Sequence, residues 1–459
     1  MLDIKLLRDD PELVRRTLEE RRVSVFADLA DLASAADAAA ATVERLVALD
    51  RRYRDLLTAQ EDLRRRQNEN SAAMKRVGSL PRGEQAVARE PLVAEGRELR
   101  DKGRALEHDT TAALAERDDA WRLVPNLTHP DSPRGGSDDD HTEVSRWGTP
   151  RDFAAEGFAP RDHLQIAEAL DLVDFPAGAK VAGQKFYYLR NEAVLLDLAL
   201  QHYALGIAQK HGFVLHTTPD LARAEILDGL GFNPRGESTQ VYSVANSDLC
   251  LVGTAEITLG GMLADTIFEE EQLPLLYAGL SHCFRTEAGS HGQESRGLYR
   301  VHQFTKVELF AFVRGEVAES EAMHRRLLAI EEEIFQGLGV PYRVLDIASG
   351  DLGGQAYRKY DIEAWMPGRG DFGEVTSTSN CTDYQSRRLK VRYHSTAPDG
   401  GKRKTRFVHM LNGTAIATSR GLVAILENFQ RSDGGVDVPP PLQAIVGKAV
   451  ISPRDRLSE

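Results

Sequence analysis

From about Ala38 the hydrophobic positions fall into alternating steps of three and four. Leu46, Leu49, Tyr53, Leu56, Leu63, Asn70, Met74 and Val77 keep that spacing, and Gln60 and Gln67 occupy the remaining seam positions. Glycine and proline are almost absent, so the stretch predicts one long helix with a heptad seam. GSLPRG (78–83) supplies the residues that stop a helix and turn the chain. From about Pro91 a second run places Leu92, Leu99, Leu106, Ala113 and Ala120 at intervals of seven, with Gly96, Gly103, Thr110 and Arg117 at its poorer positions. Together the runs predict an antiparallel coiled-coil hairpin over about 38–122. At 1.5 Å per residue, roughly 35 to 40 residues give an arm of about 50 to 60 Å, too thin to enclose a catalytic pocket. Its polar face carries Arg51, Arg64, Arg65, Lys75 and Arg76 among interleaved acids. That face reads either as an ordinary solvated coiled-coil surface or as one that contacts phosphates.

Beyond the arm, VPNLTHPDSPRGGSDDDHTEVSRWGTP (124–150) clusters proline, glycine and aspartate without periodicity. It divides the chain into an N-terminal domain (1–123), a linker (124–150) and a second domain (151–459). In the second domain Leu196, Leu200, Tyr203 and Ile207 predict one amphipathic helix, and Met323, Leu327, Ile330 and Ile334 another. Strand-like runs at 275–284, 301–313 and 405–411 lack the alternation with helices of a parallel fold, so the expected class is α+β with an antiparallel sheet.

Two of those runs flank a polar loop punctuated by Gly289, Gly292 and Gly297 and headed by Arg285. Long loops inside compact domains are commonly functional. In the second strand Val307, Leu309 and Val313 alternate with Phe304, Lys306, Glu308, Phe310 and Phe312, so both faces are largely apolar and Glu308 sits on one of them. A carboxylate there needs either an internal cation or a ligand, because an unpaired buried charge costs several kcal/mol.

The chain has 459 residues, more than one core usually supports, and a net charge of −13 that argues against nonspecific coating of nucleic acid. Cys250, Cys283 and Cys381 have neither zinc-ribbon nor redox spacing and point to a reducing, cytoplasmic compartment. The N-terminus lacks an apolar signal core, and no apolar run approaches 20 residues, so no membrane association is expected. GRGDFG (368–373) matches a dinucleotide fingerprint by letters alone, because EVTSTS follows where a helix should begin. The histidines show no ligand spacing, and His282 and His302, which flank the loop, read as structural.

What remains is a set of acids, hydroxyls and single arginines beside strand sequence: Thr254-Ala255-Glu256, Arg285-Thr286-Glu287, Glu374-Val375-Thr376-Ser377, Asn412-Gly413-Thr414 and Arg420. Without an evident nucleophile, such a set suits phosphoryl or nucleotidyl chemistry, where positioning and charge stabilisation dominate. GFVLHTTPDL (212–221), FRTEAGSHGQESRGLYRVHQFTKVELF (284–310) and LNGTAIATSRGLVAILENFQ (411–430) resemble motifs 1, 2 and 3 of the class II aminoacyl-tRNA synthetases. SNCTDYQSRRLKVRY (379–393), with the N-terminal arm, resembles the seryl-tRNA synthetases of the bacterial and organellar type.

The resemblance implies activation of L-serine with ATP and transfer to tRNA(Ser), and to tRNA(Sec). It implies that Arg285, Glu308 and Arg420 carry the chemistry. Serine would lie among Thr254, Ala255, Glu256, Arg285, Glu308 and Thr414. ATP would lie against Arg285, Thr286, Glu287, Val301, Glu374, Val375, Thr376, Ser377 and Arg420. Glu374 and Ser377 would hold Mg²⁺, and no zinc is expected. The arm would contact tRNA, with Arg51, Arg64, Arg65, Lys75 and Arg76 as candidates, in a homodimer where one subunit's arm serves the other's site. Alternatives are a ligase that loads a carrier protein and an inactive tRNA-binding paralogue. The first predicts no tRNA arm; the second predicts loss of Arg285, Glu308 or Arg420, all of which are present.

Overall fold

The structure is a computed structural model that describes residues 1–30, 32, 34–232, 239–287, 297–396 and 403–454. Gly289 and Gly292 of the polar loop lie outside the described residues. The chain forms two compact units, Met1–Pro125 and Asn126–Glu459.

The first unit contains α1 (Lys5–Asp9), α2 (Pro11–Arg21), α3 (Ala35–Val77) and α4 (Arg82–Arg122). Ser34 caps α3 by accepting the Asp37 N–H. The break is shorter than the sequence predicts, since α4 begins at Arg82 and carries Gly83 and Pro91 within it. Every predicted seam position of α3 is buried or half-buried, and Arg51, Arg64, Arg65, Lys75 and Arg76 are exposed. The glycines at the weak seam positions of α4 have a packing reason. Gln60, Gln67 and Asn70 donate to the backbone carbonyls of Leu106, Leu99 and Leu92 at 3.4, 3.1 and 3.1 Å. A Cβ at Gly103 would meet the Gln67 amide nitrogen at 3.2 Å, and one at Gly96 the Asn70 side-chain oxygen at 3.2 Å. At the base of the hairpin Asp50, buried, accepts from Arg8 at 2.7 Å and Arg54 at 3.0 Å and faces Arg117 at 3.5 Å, while Trp121 packs in the core and donates to the Leu2 carbonyl.

The second unit is built on an eight-stranded sheet. The sheet strands and the longer or site-bearing helices are, in chain order, β1 (Thr142–Trp147), α5 (Glu192–Lys210), β2 (Val214–Thr217), α6 (Ala255–Gly261), β3 (Leu275–Phe284), β4 (Gln303–Val313), α7 (Val317–Leu338), β5 (Tyr342–Asp346), β6 (Arg358–Met366), β7 (Asp371–Asn380), β8 (His409–Ala417) and α8 (Thr418–Asn428). The order across the sheet is β1-β5-β6-β7-β8-β4-β3-β2, antiparallel except for the β2–β3 pair. Helices α5, α7 and α8 cover one face through Leu196, Leu200, Leu327, Ile334, Leu422 and Leu426 against Val307, Leu309, Ile362 and Leu411.

Two expectations need correction, and one reading holds. The stretch 124–150 is not a free linker after Pro125: Asn126 is buried and donates to the Gln355 and Cys381 carbonyls at 2.9 Å, and β1 pairs with β5. The run at 405–411 belongs to two strands, Lys404–Phe407 in a separate three-stranded sheet and β8 in the main one, with Val408 between them. GRGDFG, as expected, opens no helix: residues 368–370 lie in the turn after β6 and residues 371–373 begin β7.

Candidate active site

The two faces of β4 have different owners. Val307, Leu309, Ala311 and Val313 enter the core under α5, α7 and α8, whereas Phe310 and Phe312 enter a second core with α6. On that second face, beyond the phenylalanines, Phe304, Lys306 and Glu308 line a cavity of about 520 Å³. The ion-pair reading of Glu308 is realised: Lys306, two residues back on the same strand, contacts Glu308 Oε2, and both side chains are buried. Thr414 Oγ1 lies 3.5 Å from the same oxygen. Burial pushes the Glu308 carboxyl above its ordinary range, against Lys306 and Arg285, which pull it down.

Glu256 stands opposite, in the first turn of α6, where Thr254 caps the helix by accepting the Glu256 N–H at 3.2 Å. Gln385 Nε2 donates to its carboxylate at 2.7 Å. Burial and the neighbouring Glu308 raise the Glu256 carboxyl to about 7. Arg285 lies just past the end of β3, its Nε 3.3 Å from the Gly253 carbonyl and its guanidinium 5.3 Å from the Phe304 ring.

The other end of the cavity depends on two β-bulges. Opposite Ile362 and Glu363 of β6 stand Thr376 and Glu374, leaving Val375 as the extra residue of β7. On an unbroken strand Glu374 and Ser377 would face opposite sides; the bulge sends Val375 into the helix-covered core and puts both polar side chains on the cavity side. In β8 the register slips between Thr414 and Ile416, Ala415 turns into the core, and Thr414 and Ala417 both reach the cavity. Arg420, in the first turn of α8, pairs with Glu374 at 2.8 Å and lies 4.9 Å from the Tyr299 ring, whose hydroxyl donates to the Glu374 carbonyl. Burial alone would raise the Glu374 carboxyl, but Arg420, Lys359 and Arg285 hold it at about 2, so it is an anion at neutral pH.

Of the residues expected in the site, Thr254, Glu256, Arg285, Glu287, Val301, Glu308, Glu374, Thr376, Ser377, Thr414 and Arg420 line this one cavity, and Val375 borders it beneath its bulge. Ala255 packs in the second core, and Thr286 Oγ1 donates to the Thr239 carbonyl at 2.8 Å; neither is a lining residue. Lys306, Phe304, Tyr299, Arg300 and Lys359 also line the cavity and were not expected. Strand alternation from Glu308 was enough to find Lys306 and Phe304. Lys359 faces Ser379 across β6 and β7, a pairing with no local signal.

Among the described residues one other cluster gathers metal-capable atoms, Asp138, His141 and Asp351. His141 Nδ1 accepts the Ala348 N–H at 3.2 Å, so the neutral ring carries its proton on Nε2, which faces Asp351 at 3.6 Å. In that tautomer Nε2 bears its proton and offers no lone pair to a metal.

An antiparallel sheet with helices on one face and separated arginines and acids on the other defines a class II aminoacyl-tRNA synthetase core. Residues 241–429 match the family model described as the tRNA synthetase class II core domain (G, H, P, S and T), and residues 1–128 match the seryl-tRNA synthetase N-terminal domain. A serine–tRNA ligase of Rubrobacter xylanophilus is 50% identical over 99% of this chain and 100% of its own length, and one of Treponema denticola is 48% identical over 97% and 99%. The crystal structure of the seryl-tRNA synthetase from Pyrococcus horikoshii complexed with ATP matches with a TM-score of 0.88 and 38% identity, covering 99% of this chain and 100% of that one. The chain belongs to the seryl-tRNA synthetase family, the ATP-dependent serine–tRNA ligases.

Proposed function

We propose that the cavity condenses L-serine with ATP to seryl-adenylate and pyrophosphate, and then passes the seryl group to the 3′ end of tRNA(Ser) and tRNA(Sec). The observation that carries this reading is the cavity's two poles: buried Glu256 and Glu308 with Thr254 and Thr414 at one end, Arg420 and Glu374 at the other, and Arg285 beside the first pole. The acidic pole suits an ammonium and a hydroxyl, and the second suits phosphates. A serine carboxylate oxygen attacks the α-phosphorus as pyrophosphate leaves, and Arg285 offsets the charge that accumulates in the transition state. No protein nucleophile is needed. In the second step a terminal ribose hydroxyl attacks the seryl carbonyl and AMP departs.

Glu374 and Ser377 are the pair to hold Mg²⁺: an anionic carboxylate and a hydroxyl brought to one side by the Val375 bulge form an all-oxygen donor set suited to that ion. When bound, Mg²⁺ supplies charge neutralisation at the phosphates.

Selection against alanine follows from the polar pole, since a ligand without a hydroxyl leaves buried acceptors unsatisfied. The pole also predicts a pH dependence. The serine ammonium stays charged from pH 6 to 8, whereas Glu256 is charged only above its value of about 7. KM for serine is therefore expected to rise as pH falls below that value, approaching tenfold per unit as about 1.4 kcal/mol of binding is lost per unit. Serine-dependent ATP–pyrophosphate exchange measured from pH 8 to 6 checks this, with Glu256→Gln expected to flatten the profile. A flat wild-type profile contradicts the role of Glu256.

The exposed arginines and lysine of α3 are read as the tRNA-contacting face. Two copies are read as pairing through β2, an edge strand that exposes Val214 and Leu215, with exposed Val194, Leu195 and Leu198 on α5. Three free cysteines, all buried, accord with a cytoplasmic location, and no described helix is long and apolar enough to cross a membrane.

A further inference from the structure

The ladder between β3 and β4 has its last regular pair at Phe284 and Gln303. One step further, Arg285 and His302 form an irregular pair. The Arg285 N–H donates to the His302 carbonyl at 3.0 Å, as a ladder pair should. The reciprocal bond is not made by the His302 backbone, whose N–H donates instead to the Lys185 carbonyl at 3.2 Å. The imidazole replaces it, with His302 Nδ1 2.7 Å from the Arg285 carbonyl oxygen. A carbonyl only accepts, so Nδ1 carries the proton and the tautomer is fixed. The Tyr242 oxygen, 2.9 Å from Nδ1, is a second acceptor for the same proton. The ring is also held from one side, stacked on Phe186 at 5.3 Å and 20°. His302 is not a lining residue of the cavity, whereas Arg285 is.

We propose that His302 is a positioning residue for adenylation. By supplying the missing ladder donor from its side chain, it fixes the peptide of Arg285 and with it the direction in which the guanidinium enters the cavity. The inference rests on Arg285 acting at the α-phosphate. The Arg285 side chain is held by one long bond, Nε to the Gly253 carbonyl at 3.3 Å, and by the Phe304 ring, so a tilt of its peptide, carried along several rotatable bonds, moves the guanidinium by a distance that matters for in-line attack. Every other group that meets the bound reactants is unchanged, which places most of the penalty on the transition state rather than on binding.

Two substitutions separate the donor from the packing. His302→Phe keeps a flat ring on Phe186 and removes the donor. His302→Asn loses the stack and returns an amide N–H near the place of Nδ1. In serine-dependent ATP–pyrophosphate exchange with the full-length protein, His302→Phe is expected to lower kcat by about 10- to 100-fold with KM for serine and ATP within about threefold. His302→Asn is expected to recover most of that loss. Arg285→Ala, measured alongside, tests the underlying reading. If Arg285→Ala keeps near-normal exchange, the assignment of Arg285 fails and the inference with it. If Arg285→Ala is inactive while His302→Phe keeps kcat within twofold, the positioning role alone is overturned. It is equally overturned if His302→Asn and His302→Phe lose the same activity in step with the same drop in melting temperature, because the residue then only supports the fold.

Discussion

Glu308→Gln is expected to lower kcat/KM for serine in ATP–pyrophosphate exchange by about 10²- to 10³-fold, because on the proposed function it removes the buried charge that would meet the substrate ammonium and hydroxyl. KM for ATP should change little. The Lys306 contact decides how this is tested, since Glu308 is also the counter-charge of a cation that is itself only 6% exposed. Taking the carboxylate away leaves Lys306 buried and unpaired, and breaking one side of such a pair costs about 3–5 kcal/mol. A loss of activity in Glu308→Ala would therefore mix chemistry with folding. The informative comparison adds Lys306→Met to Glu308→Gln. Replacing both members of a buried pair by uncharged groups of similar size is often neutral or stabilising. The double variant is expected to recover the melting temperature and not the serine exchange. Near-normal exchange in a stable double variant contradicts the assignment.

Shortening the arm is expected to abolish tRNA charging and spare adenylation. Removing the whole hairpin would also remove Leu46, Asp50, Ala113 and Trp121, which are buried at its base. The carbonyl bonds from Gln60 to Leu106 and from Gln67 to Leu99 give the register of the two helices, and Arg52 meets Glu116 on the near side of them. Excising 58–108 and closing with a short glycine-rich turn follows that register and keeps the Asp50 cluster. Charging of tRNA(Ser) should fall below detection while kcat for pyrophosphate exchange stays within about twofold, since the proposed adenylation groups all belong to the second unit. Sedimentation should report the same two-copy species before and after. Retained charging removes the role of the arm, and a monomer in both cases removes the homodimer.

The arm was legible because a heptad seam is a local signal repeated many times. Even Gly96 and Gly103, which weaken the pattern as letters, mark where Gln67 and Asn70 approach the facing helix. The candidate site was legible as a set of residues through its resemblance to known motifs, but not as a geometry. Nothing in EVTSTS announces that Val375 bulges, and without the bulge Glu374 and Ser377 would not share a side. Strand β1 was hidden for another reason. Thr142–Trp147 is an edge strand whose residues are all exposed, so it shows no hydrophobic alternation, and its proline- and aspartate-rich approach reads as linker. Lys306 was legible too, because two positions from Glu308 on a strand is the same face.

The most direct measurement is ATP–pyrophosphate exchange with serine, threonine, alanine, glycine and cysteine in parallel, followed by charging of total tRNA and of candidate carrier proteins with the preferred amino acid. The expected result is exchange dominated by serine, with alanine weaker by about 10³-fold or more because it leaves the Glu308 and Thr414 pole unsatisfied, and charging confined to tRNA. Exchange with alanine or threonine as fast as with serine, or transfer to a carrier protein in place of tRNA, would contradict the account.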